Sequence, residues 1–180
     1  MTEQARRALA AAALVALVAA AIAQPGTAST RRVAARADSP VAGAVLTLLN
    51  EQRSRRGMKP LHRNPKLDSA ADWQSQDMVT HRYFRHQRRG GPGLVARIRR
   101  TGYLKGATSW TVGENIAWAE AQLAIPAQFV AGWMSSPEHR ANVLDRSFRA
   151  IGIGVATGAP AGSGVLPALT ITTDFGVRSG

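Results

Sequence analysis

The spacing of apolar residues changes from a helical to a strand period at Trp110. Before this position, apolar side chains recur every three or four residues in two long segments that begin at Pro40 and Pro65, and in a short one that stops at Gly102. Over residues 110–118, large apolar residues alternate with smaller or polar ones, which is the two-residue period of a strand. The pattern therefore predicts helices before Trp110 and a strand that begins there.

The last third of the chain adds further helices and strands. A helical pattern begins at Pro126, and Ser136 followed by proline predicts the start of another helix. Residues 151–155 and 168–172 are typical strands, and the turn residues between them over 158–164 predict an antiparallel hairpin. Helices followed by strands interleaved with helices predict an α+β sandwich, with a sheet covered by helices.

The N-terminal residues have the pattern of a secretory signal peptide. Two arginines precede an uninterrupted apolar run over residues 8–23, and Ala21 and Ala23 fit the small-x-small pattern that signal peptidase recognises. An uncleaved membrane anchor is the alternative, but the run is shorter than the roughly 20 residues of a span. We expect cleavage after Ala23 and no integral membrane span afterwards. The expected parts are a signal peptide over 1–23, a flexible lead-in over 24–39 and one domain over 40–178.

Composition limits the chemistry and the partners. The 180-residue chain has no cysteine, so neither a disulfide framework nor a thiolate zinc site can form. Its formal net charge of +12, carried almost entirely by arginine, favours anionic polymers, which outside the cytoplasm are envelope polymers and not nucleic acid. Residues 82–100 are rich in arginine and are the place for such binding; a solvated face is the alternative interpretation. The length suits one compact domain, which we expect to be a monomer.

Three polar side chains are candidates for a shared site: His86, Glu114 and His139. Glu114 lies on the same strand face as apolar residues, where a carboxylate is costly unless it is paired. Two neutral imidazoles and a carboxylate are a ligand set of open catalytic zinc sites. Two structural interpretations stay open: His139 could satisfy a loop backbone, and Glu114 could accept hydrogen bonds from backbone N–H groups.

The helix that begins after Ser136 presents a second pair of polar residues. His139 and Asn142 are three residues apart and share one helix face, whereas Glu138 points about 100° away from His139. Glu138 is therefore expected to stabilise the helix N-terminus and not to be a ligand. Ser135 and Ser136 lie near His139, but no Gly-x-Ser-x-Gly elbow accompanies them, so a serine hydrolase is disfavoured.

Several short motifs follow one another in a fixed order between about residues 45 and 177. They are LNEQR at 49–53, FRH at 84–86, GENIA at 113–117, SPEHRAN at 136–142, IGIG at 151–154 and DFG at 174–176. Together they resemble the CAP superfamily of cysteine-rich secretory proteins, antigen 5 and plant pathogenesis-related proteins, also called SCP proteins. Because the chain has no cysteine, it resembles the bacterial branch of this superfamily.

This resemblance implies a three-layer α-β-α sandwich with a mostly antiparallel sheet, secretion, and a central cleft. The cleft of the family is lined by two histidines and two acidic residues that can hold a divalent ion such as zinc. His86, Glu114 and His139 resemble three of these residues. The second acidic position is not matched, because the chain reads Met-Ser-Ser at 134–136 and Glu138 has the wrong helical phase. The resemblance thus implies a three-ligand metal site, with no other cofactor, or no metal site.

We therefore expect a secreted, extracellular or cell-wall-associated domain that binds a small, lipid-like or cell-wall-derived ligand in a cleft. His86, Glu114, His139 and Asn142 are the predicted cleft residues. A metal-assisted hydrolase acting on peptides or wall material is one alternative, with His86, Glu114 and His139 as metal ligands. An adhesion or signalling module that binds an anionic cell-envelope polymer through its basic surface is the other.

Overall fold

A computed structural model describes residues 39–120, 123–161 and 167–180. The predicted signal peptide over 1–23, and all of the predicted lead-in except Ser39, lie outside the described residues.

Five helices and four strands make up the described part of the chain. In order they are α1 (Pro40–Ser54), β1 (His62–Arg63), α2 (Pro65–His81), α3 (Leu94–Arg100), β2 (Ser109–Glu120), α4 (Pro126–Ser135), α5 (Pro137–Val143), β3 (Ala150–Thr157) and β4 (Ala168–Ser179). Each helix and strand predicted from periodicity is present, and β1 is an addition to them.

The sheet is mixed and mostly antiparallel, with the strand order β1-β3-β4-β2. β3 and β4 form the predicted antiparallel hairpin, and β2 pairs with β4 antiparallel over its whole length. β1 pairs with β3 in parallel, so the sheet is not purely antiparallel. β2 forms one edge of the sheet, which matters for the site described below.

The two faces of the sheet are covered by different helices. Gly152 and Gly154 of β3 face α2, and a Cβ atom at either position would overlap the α2 backbone. These glycines therefore allow α2 to lie directly on the strand. Ile151 and Ile153 point to the opposite face, where α1, α4 and α5 pack. The expected α-β-α sandwich is confirmed.

The larger hydrophobic core lies between the sheet and the layer of α1, α4 and α5. Burying a Val, Leu, Ile or Phe side chain contributes about 1.5–3 kcal/mol relative to leaving it exposed. The buried members of this larger core are Ala42, Val45, Leu49, Leu61, Phe129, Val130, Trp133, Val143, Phe148, Ile151, Ile153, Ile171 and Phe175.

Local capping explains where α2 begins. The side chain of Asn64 accepts hydrogen bonds from the backbone N–H groups of Lys66 and Leu67, at 3.0 and 3.3 Å. Pro65 occupies the first turn, where its missing N–H is not needed. Ser136 precedes α5 in the same way, but its hydroxyl makes no hydrogen bond to the helix backbone. α5 therefore begins where the Ser-Pro pair predicts, but without the capping bond that a serine at this position commonly makes.

Arg53 fixes the position of α5 from inside the molecule. It is fully buried in α1, and its guanidinium donates to the carbonyl oxygens of Val143 and Asp145, both at 2.8 Å. These bonds satisfy carbonyl groups at the end of α5 that lack partners within the helix. α1 thereby holds the helix that carries His139.

No helix within residues 39–120, 123–161 and 167–180 combines the length and the apolar content that crossing a bilayer requires.

Candidate ligand-binding cleft

The candidate site lies along the free edge of β2, which α4 and α5 cover. The indole Nε1 of Trp133 donates to the carbonyl oxygen of Ile116 at 3.3 Å, and Asn142 Nδ2 donates to that of Glu114 at 3.2 Å. Asn115 Nδ2 in turn donates to the carbonyl oxygen of His139 at 3.0 Å. These bonds satisfy an edge strand that would otherwise be open to pairing. They also fix α5 relative to β2.

Gly113 permits the close contact between β2 and α5. A Cβ atom at this position would lie 2.7 Å from Asn142 Oδ1 and 3.2 Å from the ring of Phe148. Asn142 also donates to Asn115 Oδ1 at 2.9 Å, so its amide has little freedom to move. The glycine that begins the GENIA motif is thus required by packing.

Glu114 is buried and both of its carboxylate oxygens are engaged. Oε1 lies 2.8 Å from His86 Nδ1, and Oε2 forms an ion pair with Arg97 Nη2. The side chain of Arg97 is only 1% exposed. The interpretation of residues 82–100 as a solvated face is therefore wrong for Arg97, because a buried carboxylate requires a buried partner.

Arg97 also positions the loop that carries His86. Its Nη1 donates to the carbonyl oxygens of His86 and Pro92, at 2.9 and 3.3 Å. Two further bonds come from α2: Gln74 Nε2 donates to the carbonyl oxygen of Arg85 at 2.8 Å, and the hydroxyl of Tyr83 donates to an Asp77 oxygen at 2.7 Å. The loop is held mainly through its backbone, which leaves the His86 ring half exposed, at 57%.

Asp174 lies beside this ion pair and was not among the predicted site residues. It is directly opposite Glu114 in the pairing of β2 with β4, so both side chains lie on the same face of the sheet. Asp174 is fully buried, and neither carboxylate oxygen has a hydrogen-bond donor among the described residues. Burial, followed by the charge of Glu114, raises the pKa of Asp174 well above its usual range. Asp174 therefore keeps its proton to a higher pH than an exposed aspartate does.

The two histidines have opposite electrostatic environments. The hydrogen bond to Glu114 raises the pKa of His86, although burial acts in the opposite direction. Burial lowers the pKa of His139, and the charge of His86 lowers it further. His86 therefore carries a proton more readily than His139, and the two rings are close enough for one to affect the titration of the other.

His139 is oriented by the serine that precedes its helix. Its Nδ1 lies 2.8 Å from Ser136 Oγ, and both side chains line the same cavity. Among the described residues no carboxylate contacts His139, so the pair lacks the third member that orients the base in a serine hydrolase. The contact gives no support to hydrolysis by Ser136.

A cavity of about 440 Å³ opens next to His139 along β2. Most of its wall is apolar, and Phe84, from the loop held by Arg97, closes one side. Ser136 and His139 form a polar corner. The complete lining is Phe84, Ile116, Ala117, Trp118, Ala119, Leu123, Gln128, Phe129, Gly132, Trp133, Ser136 and His139.

The geometry limits how a metal ion could be held. Both oxygens of Glu114 are already engaged, one by His86 and the other by Arg97. Within the described part of the chain, no three His, Asp or Glu side chains group closely enough to hold a metal ion. A three-ligand centre of His86, Glu114 and His139 does not fit this arrangement. The imidazole Nε2 atoms of the two histidines remain as donors, with Glu114 orienting His86 from behind.

The predicted site residues thus lie around one strand edge. His86 contacts the Glu114 carboxylate, and Asn142 contacts the Glu114 backbone. The His139 ring contacts Ser136 and neither the carboxylate nor the backbone of Glu114. Sequence reasoning missed Arg97, Asp174 and the aromatic wall of the cavity. An isolated acid shortly after the predicted strand over residues 168–172 was the available signal for Asp174.

The fold is a three-layer α-β-α sandwich with a cleft at the edge of β2. Comparison with known protein families identifies the class of protein that has this fold. Residues 46–172 match the family model described as CAP, the cysteine-rich secretory protein family. The chain belongs to the CAP family.

One relative of the chain comes from a bacterium. Over 135 residues the chain is 34% identical to the uncharacterized protein YkwD of Bacillus subtilis (strain 168), a match that covers 72% of this chain and 49% of YkwD. The chain therefore spans about half the length of that relative.

Solved structures show the same fold. An extracellular protein containing an SCP domain from Bacillus anthracis superposes with a TM-score of 0.58 and 27% identity, over 75% of this chain and 39% of that one. An outer surface protein from Borrelia burgdorferi superposes with a TM-score of 0.62, over 78% of this chain and 95% of that one; at 16% identity this similarity concerns the fold alone.

Proposed function

We propose that this protein is a secreted CAP domain that binds a small, predominantly apolar ligand, lipid-like or derived from the cell wall, in the cavity beside His139. The observation that carries this proposal is the cavity of about 440 Å³ with an apolar wall and one polar corner. Ligand sites typically have volumes of about 300–1,000 Å³, with mostly apolar linings and a few placed polar groups.

The shape of the lining favours an amphipathic ligand. Phe129 and Trp133 are aromatic residues of the lining, and the contacting pair Ser136 and His139 supplies polar groups together with Gln128. The apolar part of a ligand would cover the aromatic rings, and its polar group would lie at His139. Because burial lowers the pKa of His139, the neutral ring can accept or donate a hydrogen bond there at neutral pH.

The proposal of secretion rests on the N-terminal pattern and on the relatives. The Bacillus anthracis protein is described as extracellular. The apolar run over residues 8–23, which ends with Ala21 and Ala23 at small-x-small spacing, has the pattern of an export signal. Both observations support the proposed extracellular or wall-associated location.

Hydrolysis is less well supported than binding. A metal-assisted hydrolase needs a carboxylate that is free to bind a metal ion or to activate water. Glu114 is instead held by Arg97 and His86. Divalent binding by the two imidazoles stays a prediction, which zinc titration of the protein and of the His86→Ala, His139→Ala double variant would test.

The binding proposal is tested by filling the cavity from its exposed rim. Gly132 lines the cavity, and a Cβ atom there has open space around it. Gly132→Leu should fill part of the cavity and still fold, because leucine favours a helix more than glycine does. We expect it to weaken binding of a fluorescent fatty acid, such as cis-parinaric acid, by about tenfold or more, the loss of about two buried methylene groups.

Ala131→Leu is the matched control. Ala131 precedes Gly132 in α4, is exposed and does not line the cavity. The control should bind the fatty acid as the parent protein does. Equal affinity of the parent protein and Gly132→Leu would overturn the assignment of this cavity, as would the absence of binding in the parent protein.

A further inference from the structure

The outer edge of β3, on the side away from β4, is covered by β1 only at its start. β1 pairs with β3 at two positions, Ala150 and Ile151. β4 pairs with β3 along the whole strand and occupies its inner edge. Beyond Ile151, the backbone groups of β3 that point away from β4 therefore have no strand partner within the described part of the chain.

Two aspartates of α2 take the place of a strand along the middle of this edge. Asp68 Oδ1 accepts a hydrogen bond from the backbone N–H of Ile153 at 2.8 Å. Asp72 Oδ1 accepts one from the backbone N–H of Val155 at 3.2 Å. Because the backbone groups of alternate residues point to the same edge of a strand, Thr157 is the next residue whose N–H points outward.

The edge is open at Thr157. The N–H of the following residue, Gly158, donates to the carbonyl oxygen of Ala168 at 2.7 Å and so points towards β4. Thr157 is exposed, and its own N–H makes no hydrogen bond among the described residues. We call its outward N–H and C=O groups, together with the outward C=O of Val155, the β3 edge. An open strand edge is a template for pairing with another extended segment.

A groove of about 390 Å³ lies along the β3 edge. Its lining includes Val155 and Thr157 of β3, Val41 of α1 and Gln76 of α2. Because α1 and α2 pack on opposite faces of the sheet, a groove that both helices line lies at the edge between the two faces. The groove can therefore receive a segment that pairs with β3.

The chain itself enters this groove. Ser39, the first described residue, immediately precedes α1 and lines the groove. The predicted lead-in therefore joins the domain beside the β3 edge. A segment tethered at this point has a high effective concentration at the groove, because its last residues need no long loop to reach it.

The end of the lead-in has the sequence pattern of a strand with one apolar face. Residues 31–38 read RRVAARAD, with apolar residues at 33, 35 and 37 and charged residues at 32, 36 and 38. Alternation of this kind gives an extended segment one apolar face and one polar face. Pairing with the β3 edge would order a segment that its composition alone predicts to be flexible.

We propose that residues 31–37 pair with the β3 edge as an additional strand of the sheet. The apolar face that contains Val33 and Ala35 then fills the groove. The added strand closes an open edge and prevents the edge-to-edge association that such an edge invites. The inference is independent of the proposed function, since no residue of the groove lines the cavity beside His139.

Two other occupants fit the edge less well. A second copy of the chain and an unrelated extended peptide could each add a strand through backbone hydrogen bonds. Both lose translational and rotational freedom on binding, whereas the lead-in is already attached at Ser39.

The experiment measures hydrogen exchange of the Thr157 amide by NMR in a purified protein that comprises residues 24–180. This amide should be protected, and nuclear Overhauser effects should connect residues 31–37 with residues 155–157. Ala35→Asp places a charge on the face towards the groove and should speed exchange about tenfold or more, the effect of losing a hydrogen bond. Ala34→Asp is the matched control on the opposite face and should change the exchange rate less than about twofold.

Circular dichroism and thermal melting establish that each variant is folded. Unprotected exchange of the Thr157 amide in the parent protein would overturn the proposal, as would equal effects of Ala34→Asp and Ala35→Asp. Contacts of the β3 edge with another segment of the chain, in place of residues 31–37, would also contradict it. Protection that rises with protein concentration would identify a second copy as the occupant and would overturn it too.

Discussion

At the scale of single residues, Arg97 and Glu114 determine the geometry at His86. The ion pair is buried, and the same guanidinium holds the backbone of the His86 loop. Such a pair adds little net stability when it is intact, but removing one member leaves an uncompensated buried charge. Arg97 is therefore a positioning residue of the cleft.

Replacing Arg97 should show the cost of that uncompensated charge. We expect Arg97→Met to lower the free energy of unfolding by about 3–5 kcal/mol, measured by urea denaturation. The matched variant Arg100→Met lies on the same helix at an exposed position and should change stability by no more than about 0.5 kcal/mol. Similar stability of the two variants would contradict the role given to Arg97.

Asp174 should make stability depend on pH. Its pKa is raised in the folded protein, so the folded state keeps a proton that the unfolded chain releases above the ordinary pKa of 3.8. The free energy of unfolding then falls as pH rises from this value to the folded pKa. Asp174→Asn cannot ionise and can donate a hydrogen bond to Glu114, so its stability relative to the parent should increase as the pH rises above 3.8 towards the folded pKa of Asp174.

Thermal melting across this pH range measures the effect. Glu51→Gln removes one exposed acid from α1 and serves as the control, since its stability should follow the pH dependence of the parent protein. A constant difference in melting temperature between Asp174→Asn and the parent protein at every pH would mean that Asp174 is ionised throughout.

At the scale of secondary-structure elements, the contact between β2 and α5 connects the two helical layers. β2 carries Glu114 towards α2 and α3, and its free edge receives α5. β2 therefore contacts both helical layers and positions residues in each of them. A small substitution where α5 contacts β2 should alter the shape of the cleft, although the substituted residue itself does not line the cavity.

Gly113→Ala makes that change. The added Cβ would lie 2.7 Å from Asn142 Oδ1, so the amide and α5 must move. We expect a loss of about 1–3 kcal/mol in the free energy of unfolding, as for other overpacked positions, and a shift in the NMR signals of the His139 ring. Gly43→Ala in α1 meets no atom within 4 Å and should be neutral or stabilising. Unchanged His139 signals in Gly113→Ala would contradict the proposed contact.

The elements themselves were largely predictable because their signals are local. Asn64 before Pro65 predicts the start of α2 from capping chemistry, and the structure shows that cap. β1 has only two residues, His62 and Arg63, and no periodicity can be detected over so short a segment. Arg97 was misinterpreted because α3 has seven residues, too few to distinguish a buried cation from an exposed one.

At the scale of the whole molecule, the site depends on contacts between residues far apart in the sequence. Glu114 and Asp174 are opposite each other only because β2 pairs with β4 along its full length. The pattern predicted the second strand of the hairpin only over residues 168–172, so Asp174 fell outside it. The candidate histidines were proposed from their residue type and supported by the resemblance to CAP proteins, since spacing alone does not show that distant segments converge.

Export of the whole molecule is the last property that can be tested directly. Signal peptidase cleaves after small residues at the end of an apolar run, which here predicts a mature protein that begins at Gln24. Mass spectrometry of the protein released by an exporting bacterial host should show this N-terminus.

The double variant Ala21→Phe, Ala23→Phe replaces both small residues and should leave the precursor uncleaved in the membrane fraction. Ala19→Phe lies within the apolar run and should be processed normally, because it preserves the cleavage pattern. A released protein that retains residues 1–23, or cleavage of the double variant at the same bond, would contradict the predicted signal peptide.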